Sequence, residues 1–244
     1  MFLVEGPHAV AEALASARHQ VVELFVTAGA AEREADLMRA AAAGDIPVSL
    51  VTDRVAASLS DTVTPQGVVA VARMAADSLD VVLAANPRLL VVLVDVADPG
   101  NVGTVIRTAD AAGADAVVLA GHSVDPHNPK VVRASAGSLF HLPVPRADTA
   151  DTLSALQRHG VQVVATALDG SAELFEVAAT GRLRGPVAWL LGNEAHGLAS
   201  DVAAAADLTV RIPIHGQAES LNLAAAAAVC LYVTAHAAAV RTTP

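Results

Sequence analysis

The stretch Leu89-Leu-Val-Val-Leu-Val-Asp-Val-Ala-Asp-Pro-Gly-Asn-Val-Gly-Thr-Val-Ile-Arg-Thr-Ala-Asp110 joins an almost unbroken apolar run to a turn and then to a helical pattern. Residues 89–96 do not alternate polar with apolar, so they read as a parallel strand buried on both faces. Pro99-Gly100 ends the run, and a helix is expected over residues 102–112. Asn101 then falls at its cap, while Gly103 and Arg107 share one face, with Gly103 leaving room for close approach. In a doubly wound sheet, ligands bind where strand carboxyl ends meet helix amino ends. This turn has that position, although an ordinary capped helix with a solvated arginine accounts for the same residues.

Working outward, the alternation continues on both sides. Downstream, strands are expected at residues 116–120, 141–144, 161–167, 187–191 and 208–212, and helices at 130–138, 149–158 and over the alanine-rich final segment. Such alternation argues for an α/β fold, a mostly parallel sheet with helices on both faces. Upstream, an apolar-periodic stretch at 7–17 precedes strands at 21–27, 46–51 and 68–73 and helices at 30–43 and 54–59, a small α/β unit of residues 1–75. Residues 76–88, ending in Asn86-Pro87, read as a linker, which leaves 89–244 as the larger domain.

Composition bounds the function. The 244 residues are 54% hydrophobic, enough for a sizeable core. With 16% charged residues and a net charge of −10 the chain is neither disordered nor a polycationic nucleic-acid coat. Aromatics are 2%, which excludes a platform of rings stacked on bases. Apolar runs stop well short of the ~18 residues of a membrane span. The one cysteine, Cys230, forms no internal disulfide, and the start MFLVEGPHAV lacks the basic end and continuous apolar core of a signal peptide, so a cytoplasmic protein is expected. The histidines show no ligand spacing, and no metal is expected.

Two more strand ends carry polar, glycine-containing loops. Leu191-Gly-Asn-Glu-Ala-His-Gly-Leu198 places Asn193, Glu194 and His196 between two glycines directly after an apolar strand. Ile212-Pro-Ile-His-Gly-Gln-Ala-Glu-Ser-Leu-Asn-Leu223 places Ser220 and Asn222 at the start of the last helix, where they serve as caps or as donors to an anion. Three such loops on one sheet edge make coincidence a poor explanation.

Taken together, Asn101-Val-Gly-Thr-Val-Ile-Arg-Thr-Ala, Leu191-Gly-Asn-Glu-Ala-His-Gly-Leu and Ile212-Pro-Ile with Glu219-Ser-Leu-Asn-Leu-Ala resemble the three motifs of the SpoU (TrmH) RNA 2′-O-ribose methyltransferases of the SPOUT superfamily. Phe2-Leu-Val-Glu-Gly-Pro-His-Ala-Val and Thr64-Pro-Gln-Gly-Val-Val-Ala-Val resemble the L30e-like substrate-binding domain that precedes many of these enzymes, and Pro129-Lys-Val-Val-Arg-Ala-Ser-Ala-Gly-Ser-Leu-Phe-His-Leu-Pro-Val is also similar to the family. The resemblance implies a deep trefoil knot, a homodimer through the knotted domain and S-adenosylmethionine as cofactor. It implies methylation of a ribose 2′-hydroxyl in RNA, with 23S ribosomal RNA favoured over transfer RNA.

By the same resemblance Arg107 stands at the 2′-hydroxyl, Ser220 holds the RNA or orients the arginine, and Asn101, Glu194 and Asn222 build the polar pocket. Main-chain groups of Leu191, Gly192, Ile212 and Leu221 line the cofactor pocket, closed by Thr166, Ala167 and Leu168. A guanidinium with a pKa above about 12 rarely gives up its proton, so Arg107 suits stabilisation of the alkoxide better than base action. Residues up to Asp77 hold 5 basic and 10 acidic side chains and the rest 10 and 15, so neither part is globally basic. The segment from Lys130 to Arg146 carries three cations and no acid, and Lys130, Arg133 and Ser135 are expected with Arg107 on the RNA. A dinucleotide enzyme fits poorly, since Gly100-Asn-Val-Gly is not G-x-G-x-x-G. A non-catalytic RNA-binding or assembly protein on the same fold is the other alternative.

Overall fold

The computed structural model describes residues 1–239. The first part holds β1 (Phe2–Glu5), α1 (Pro7–Ala15), β2 (Val21–Thr27), α2 (Ala28–Arg33), α3 (Ala35–Ala43), β3 (Val48–Val51), α4 (Asp53–Ser58) and β4 (Val68–Ala72). Its sheet runs β1-β4-β2-β3, with β4 antiparallel to β1 and β2, and β2 parallel to β3. Sequence reading missed β1, a four-residue strand cut off by Gly6-Pro7. The helix expected over residues 30–43 is divided at Glu34 into α2 and α3.

The second part follows α5 (Leu79–Ala84) and holds β5 (Leu89–Val94), α6 (Pro99–Ala111), β6 (Ala116–Ala120), α7 (Pro129–Ala134), β7 (Arg146–Ala147), α8 (Thr149–Arg158), β8 (Gln162–Thr166), β9 (Ala172–Glu173), α9 (Leu174–Ala179), β10 (Val187–Leu191), α10 (Ser200–Ala204), β11 (Leu208–Arg211) and α11 (Leu223–Ala239). The seven strands are all parallel, in the order β7-β6-β5-β10-β8-β11-β9. Every residue of β5, β6 and β10 is buried, as expected of strands covered on both faces. The fully buried Trp189 of β10 donates from Nε1 to Thr234 Oγ1 of α11 at 2.9 Å, so the polar atom of the largest core side chain is paired.

Three expectations change. Residues 76–88 are not a bare linker: α5 is capped by Ser78 and buries Leu79, Val82 and Leu83 against the sheet. The helix expected from residue 102 starts at Pro99, because Asp98 caps it by accepting from Asn101 N at 2.7 Å, and a proline in the first turn sacrifices no helical bond. The strand expected at 141–144 is displaced to β7, and residues 138–140 form a 3-10 turn. The cause lies in two prolines. Pro143 and Pro145 accept from Val117 N and Leu119 N of β6 at 3.1 and 2.9 Å, but neither has an N–H to return the bond.

One apolar core runs through both parts, from Val4, Val10 and Leu24 to Val105, Val131 and Phe140. At the seam, the rings of Phe2, His19, His127 and Phe140 pack on each other, with centroids 4.5 Å apart for Phe2 and His127 and 5.1 Å apart for His19 and Phe140.

Candidate active site at the carboxyl ends of the sheet

Asp95, just after β5, has a left-handed backbone with φ of 53°, a conformation that only short polar residues and glycine adopt readily. Its carboxylate accepts from His122 N at 2.7 Å, and its carbonyl accepts from Asn193 Nδ2 at 2.9 Å. Asn193 then folds the loop after β10 upon itself. Its backbone pairs with Gly197 in both directions, at 3.0 and 2.8 Å, and its Oδ1 accepts from Ala195 N at 2.9 Å. The fold is tight: a Cβ on Gly192 would lie 2.3 Å from the carbonyl carbon of Gly197 and 2.4 Å from Leu198 N. Asp95 was missed by sequence reading; its only signal was an acidic residue ending an apolar strand.

That loop presents Glu194, whose Oε1 accepts from Asp98 N at 3.2 Å and from Asn101 Nδ2 at 3.0 Å. Asn101 Oδ1 in turn accepts from Asn222 Nδ2 at 3.0 Å, while Asn222 Oδ1 caps α11 by accepting from Ala224 N at 2.9 Å. Glu194, Asn101 and Asn222 therefore form one relay that ties together the three loops singled out in the sequence. The direction of the bonds is settled by chemistry, since a carboxylate only accepts and so turns the Asn101 amide nitrogen towards itself.

Beside the relay opens a cavity of about 750 Å³ at the carboxyl ends of β8, β10 and β11. Thr166, Ala167, Leu168, Gly192, Ile212 and Leu221 line it, as do Glu194 and Ser220. Asp169, Ser200 and Thr209 line it as well and carried no sequence signal. Leu191, 1% exposed at the end of β10, is not among the residues that line it. The segment that carries the wall residues Ala167, Leu168 and Asp169 is held down on β11, where Ala167 N donates to Val210 O at 3.0 Å and Arg211 Nη1 donates to Gly170 O at 3.1 Å. Among the described residues no three His, Cys, Asp or Glu side chains stand where they could hold a metal.

Arg107 lies further along α6, exposed, with no side-chain hydrogen bond or ion pair among the described residues. Gly103, on the same helix, does leave room for a close approach, and what approaches is α7. A Cβ there would meet Ala134 Cβ at 2.5 Å and Val131 O at 2.6 Å. The expected RNA contacts of α7 are also revised. Lys130 is exposed, but Ser135 is wholly buried and donates to Val132 O at 2.8 Å, and Arg133 turns to Glu5 of β1 at 3.4 Å. Arg133 serves the seam between the two sheets, because α7 packs on β1 as well as on α6, and Ser135 closes the end of α7.

Residues 88–232 match the family described as "SpoU rRNA Methylase family", and residues 3–77 match "RNA 2'-O ribose methyltransferase substrate binding". The chain belongs to the SpoU rRNA methylase family. This SpoU chain is 36% identical to 23S rRNA (guanosine(2553)-2'-O)-methyltransferase RlmP of Bacillus subtilis (strain 168) over 95% of its own length and 87% of that protein. It is 33% identical to the 23S rRNA (guanosine-2'-O-)-methyltransferase RlmB of Ralstonia nicotianae, covering 94% of this chain and 93% of that one. Among solved structures, the AdoMet-bound rRNA methyltransferase from Sinorhizobium meliloti superposes with a TM-score of 0.80 at 34% identity, covering 96% of this chain and 87% of that one. The SpoU methyltransferase AviRb from Streptomyces viridochromogenes in complex with AdoMet superposes with a TM-score of 0.82 at 32% identity, over 96% and 89% of the two chains.

Proposed function

We propose that this SpoU chain transfers a methyl group to a ribose 2′-hydroxyl of 23S ribosomal RNA, using S-adenosylmethionine. The observation that carries the reading is the relay from Glu194 through Asn101 to Asn222, which joins the cavity loops to the helix bearing an unpaired Arg107. The cavity suits the cofactor in size, since small-molecule sites span roughly 300–1,000 Å³. Gly192 lets the loop after β10 fold back tightly along one wall of it, where a Cβ would strike the Gly197 and Leu198 backbone. When bound, the cofactor supplies an electrophilic methyl group.

The residues of this chain supply position and charge. Thr166 to Leu168, Gly192, Ile212 and Leu221 form the cofactor walls, offering main-chain groups and small side chains. Glu194 is spent on orienting Asn101 and the first turn of α6, so it acts by positioning. Arg107, carrying a fixed positive charge and a planar fork of donors, stabilises the alkoxide that forms as the 2′-hydroxyl gives its proton to solvent water and its oxygen takes the methyl. Ser220, exposed at the cavity edge, and Lys130 at the start of α7 contact the RNA. With Arg107 and Lys130 as the cations offered beside the site, few phosphate contacts follow, and RNA affinity then falls gently with salt.

Residues 1–75 are assigned to substrate binding, residues 89–244 to catalysis, and residues 76–88 to their connection. We further infer that the catalytic part is threaded as a trefoil knot and works as a homodimer in the cytoplasm; the return of α11 onto α6, β5 and β10 supports the threading. The test is methyl transfer from labelled S-adenosylmethionine to an unmodified 23S rRNA transcript, with the product mapped as a 2′-O-methyl nucleotide. That nucleotide should lack its methyl in rRNA from a strain deleted for the gene. Label absent from 23S rRNA but present on transfer RNA would reassign the substrate, and a stable active monomer would remove the dimer.

A further inference from the structure

His141 stands between the two parts of the chain. Its Nδ1 lies 2.7 Å from Asp110 Oδ2 on α6, and its Nε2 lies 3.1 Å from Glu12 Oε2 on α1. Ionised carboxylates only accept, so both ring nitrogens must donate, and the ring that makes both bonds is an imidazolium. Asp110 is one helical turn beyond Arg107, on the same side of α6. Around this bridge the seam is close-packed. A Cβ on Gly137 would meet Glu12 Cγ at 2.6 Å, His8 Nε2 stands 3.1 Å from Ala136 O, and Ser16 donates to Phe140 O at 3.1 Å.

We propose that His141 is a positioning residue for methyl transfer, pinning the amino-terminal part through Glu12 to the Arg107 helix through Asp110. The proposal rests on the functional reading above, in which the first part holds RNA and Arg107 meets the ribose. RNA held at a fixed offset reaches Arg107 without a search over domain orientations, and that ordering saves entropy in the productive complex. Two carboxylate partners raise the His141 pKa above its ordinary value. The charged groups facing the ring are Asp110 from α6 and Glu12 from α1, with His8 4.0 Å behind Glu12; Arg133 of α7 is turned to Glu5. Deprotonation leaves one donor for two acceptors. The shorter bond to Asp110 is kept and the link to Glu12 is released.

The test joins a distance to a rate. Spin labels on Val63→Cys and Asp151→Cys, one on each side of the seam, should give a narrow distance distribution at pH 6 that broadens as the pH rises. In His141→Gln and in Glu12→Gln it should be broad at every pH. With an unmodified 23S rRNA transcript, either substitution should raise KM for RNA by about tenfold while kcat at saturating RNA stays within about twofold. The wild-type KM should climb with pH and that of His141→Gln should not, and the double variant should add nothing to either single one. A distribution that stays narrow in His141→Gln overturns the pin, whatever the RNA results. Broadening without a change in KM overturns the positioning role. A wild type that transfers no methyl to any RNA overturns the functional reading and the positioning role with it, while the distance distribution still decides the pin.

Discussion

Asn222 donates from Nδ2 to Asn101 Oδ1 at 3.0 Å across 121 residues of sequence, and this bond seats the start of the last helix against the start of α6. Replacing Asn222 by alanine removes that bond and the cap on Ala224 and Ala225 together. The lost cap should cost about 1 kcal/mol of stability. The misplaced loops should lower kcat/KM by about a hundredfold, since small displacements at a reacting centre have effects of that size. Asn222→Asp retains the capping oxygen but not the donor to Asn101. It should recover stability without activity, as denaturant titration and methyl-transfer assays would show.

Arg107→Lys keeps the positive charge and loses the planar fork. If the fork stabilises the alkoxide, kcat should fall by about a hundredfold to a thousandfold, as when a donor to a developing oxyanion is removed. Cofactor affinity should be unchanged by calorimetry. Near-normal turnover would eliminate any role that depends on fork geometry.

Gly192→Val places a side chain where Gly197 and Leu198 already lie within 2.4 Å. The loop has to open, and S-adenosylmethionine binding should become undetectable by calorimetry while the folded far-UV spectrum persists. Unchanged affinity would refute the assignment of this wall to the cofactor.

Gly103→Ala sets two effects against each other. Alanine favours a helix interior over glycine by about 1 kcal/mol. The added Cβ, however, would strike the Val131 carbonyl oxygen at 2.6 Å, a backbone atom that cannot swing aside. Overpacking of this kind costs about 1–3 kcal/mol and should win, lowering Tm. Gly29→Ala is the control: its Cβ meets nothing closer than 4.0 Å, and Tm should not fall.

Two histidines of the seam should give opposite pH dependence. His19 is buried at 6% exposure with Nδ1 unpartnered, and desolvation lowers its pKa from 6.5 to about 4. The unfolded chain therefore binds the extra proton first, so stability is full above pH 6.5 and declines towards pH 4. At ~1.36 kcal/mol per unit the loss reaches about 3 kcal/mol. His141 has a raised pKa, so its contribution is full below pH 6.5 and disappears as the pH rises through the raised value. In urea titrations the wild type should lose stability relative to His19→Phe as the pH falls from 6.5 towards 4, and should lose its advantage over His141→Gln as the pH rises through the raised His141 pKa.

Much of the larger sheet was legible because its strands are buried on both faces and so read as apolar runs. Strands 116–120 and 187–191 and the helix at 149–158 stand where periodicity and caps put them. The elements that were missed or displaced follow weaker local rules. β1 has four residues, β9 has two, and β7 is shifted by prolines that accept from β6 but cannot donate back. At the site, Asn101, Glu194, Ser220 and Asn222 were visible because polar residues gathered in glycine loops after apolar strands. Leu191 was placed beside the cavity with Gly192, but it lies buried at the end of β10, a strand covered on both faces.

The amino-acid sequence by itself determined which segments bury their backbones in a parallel sheet, where those strands end, and which polar loops stand at the ends. Hydrophobic periodicity and turn chemistry act over a few residues and can be read without knowing the neighbours. Only the tertiary structure decided what those loops do to one another. The relay of Glu194, Asn101 and Asn222 spans contacts 93 and 121 residues apart. Gly103 serves a helix packed against it, Arg133 serves the seam instead of the surface, and Ser135 is buried at the end of α7. A hydrogen bond or a close approach between distant segments depends on how the core packs, and that is a property of the whole chain.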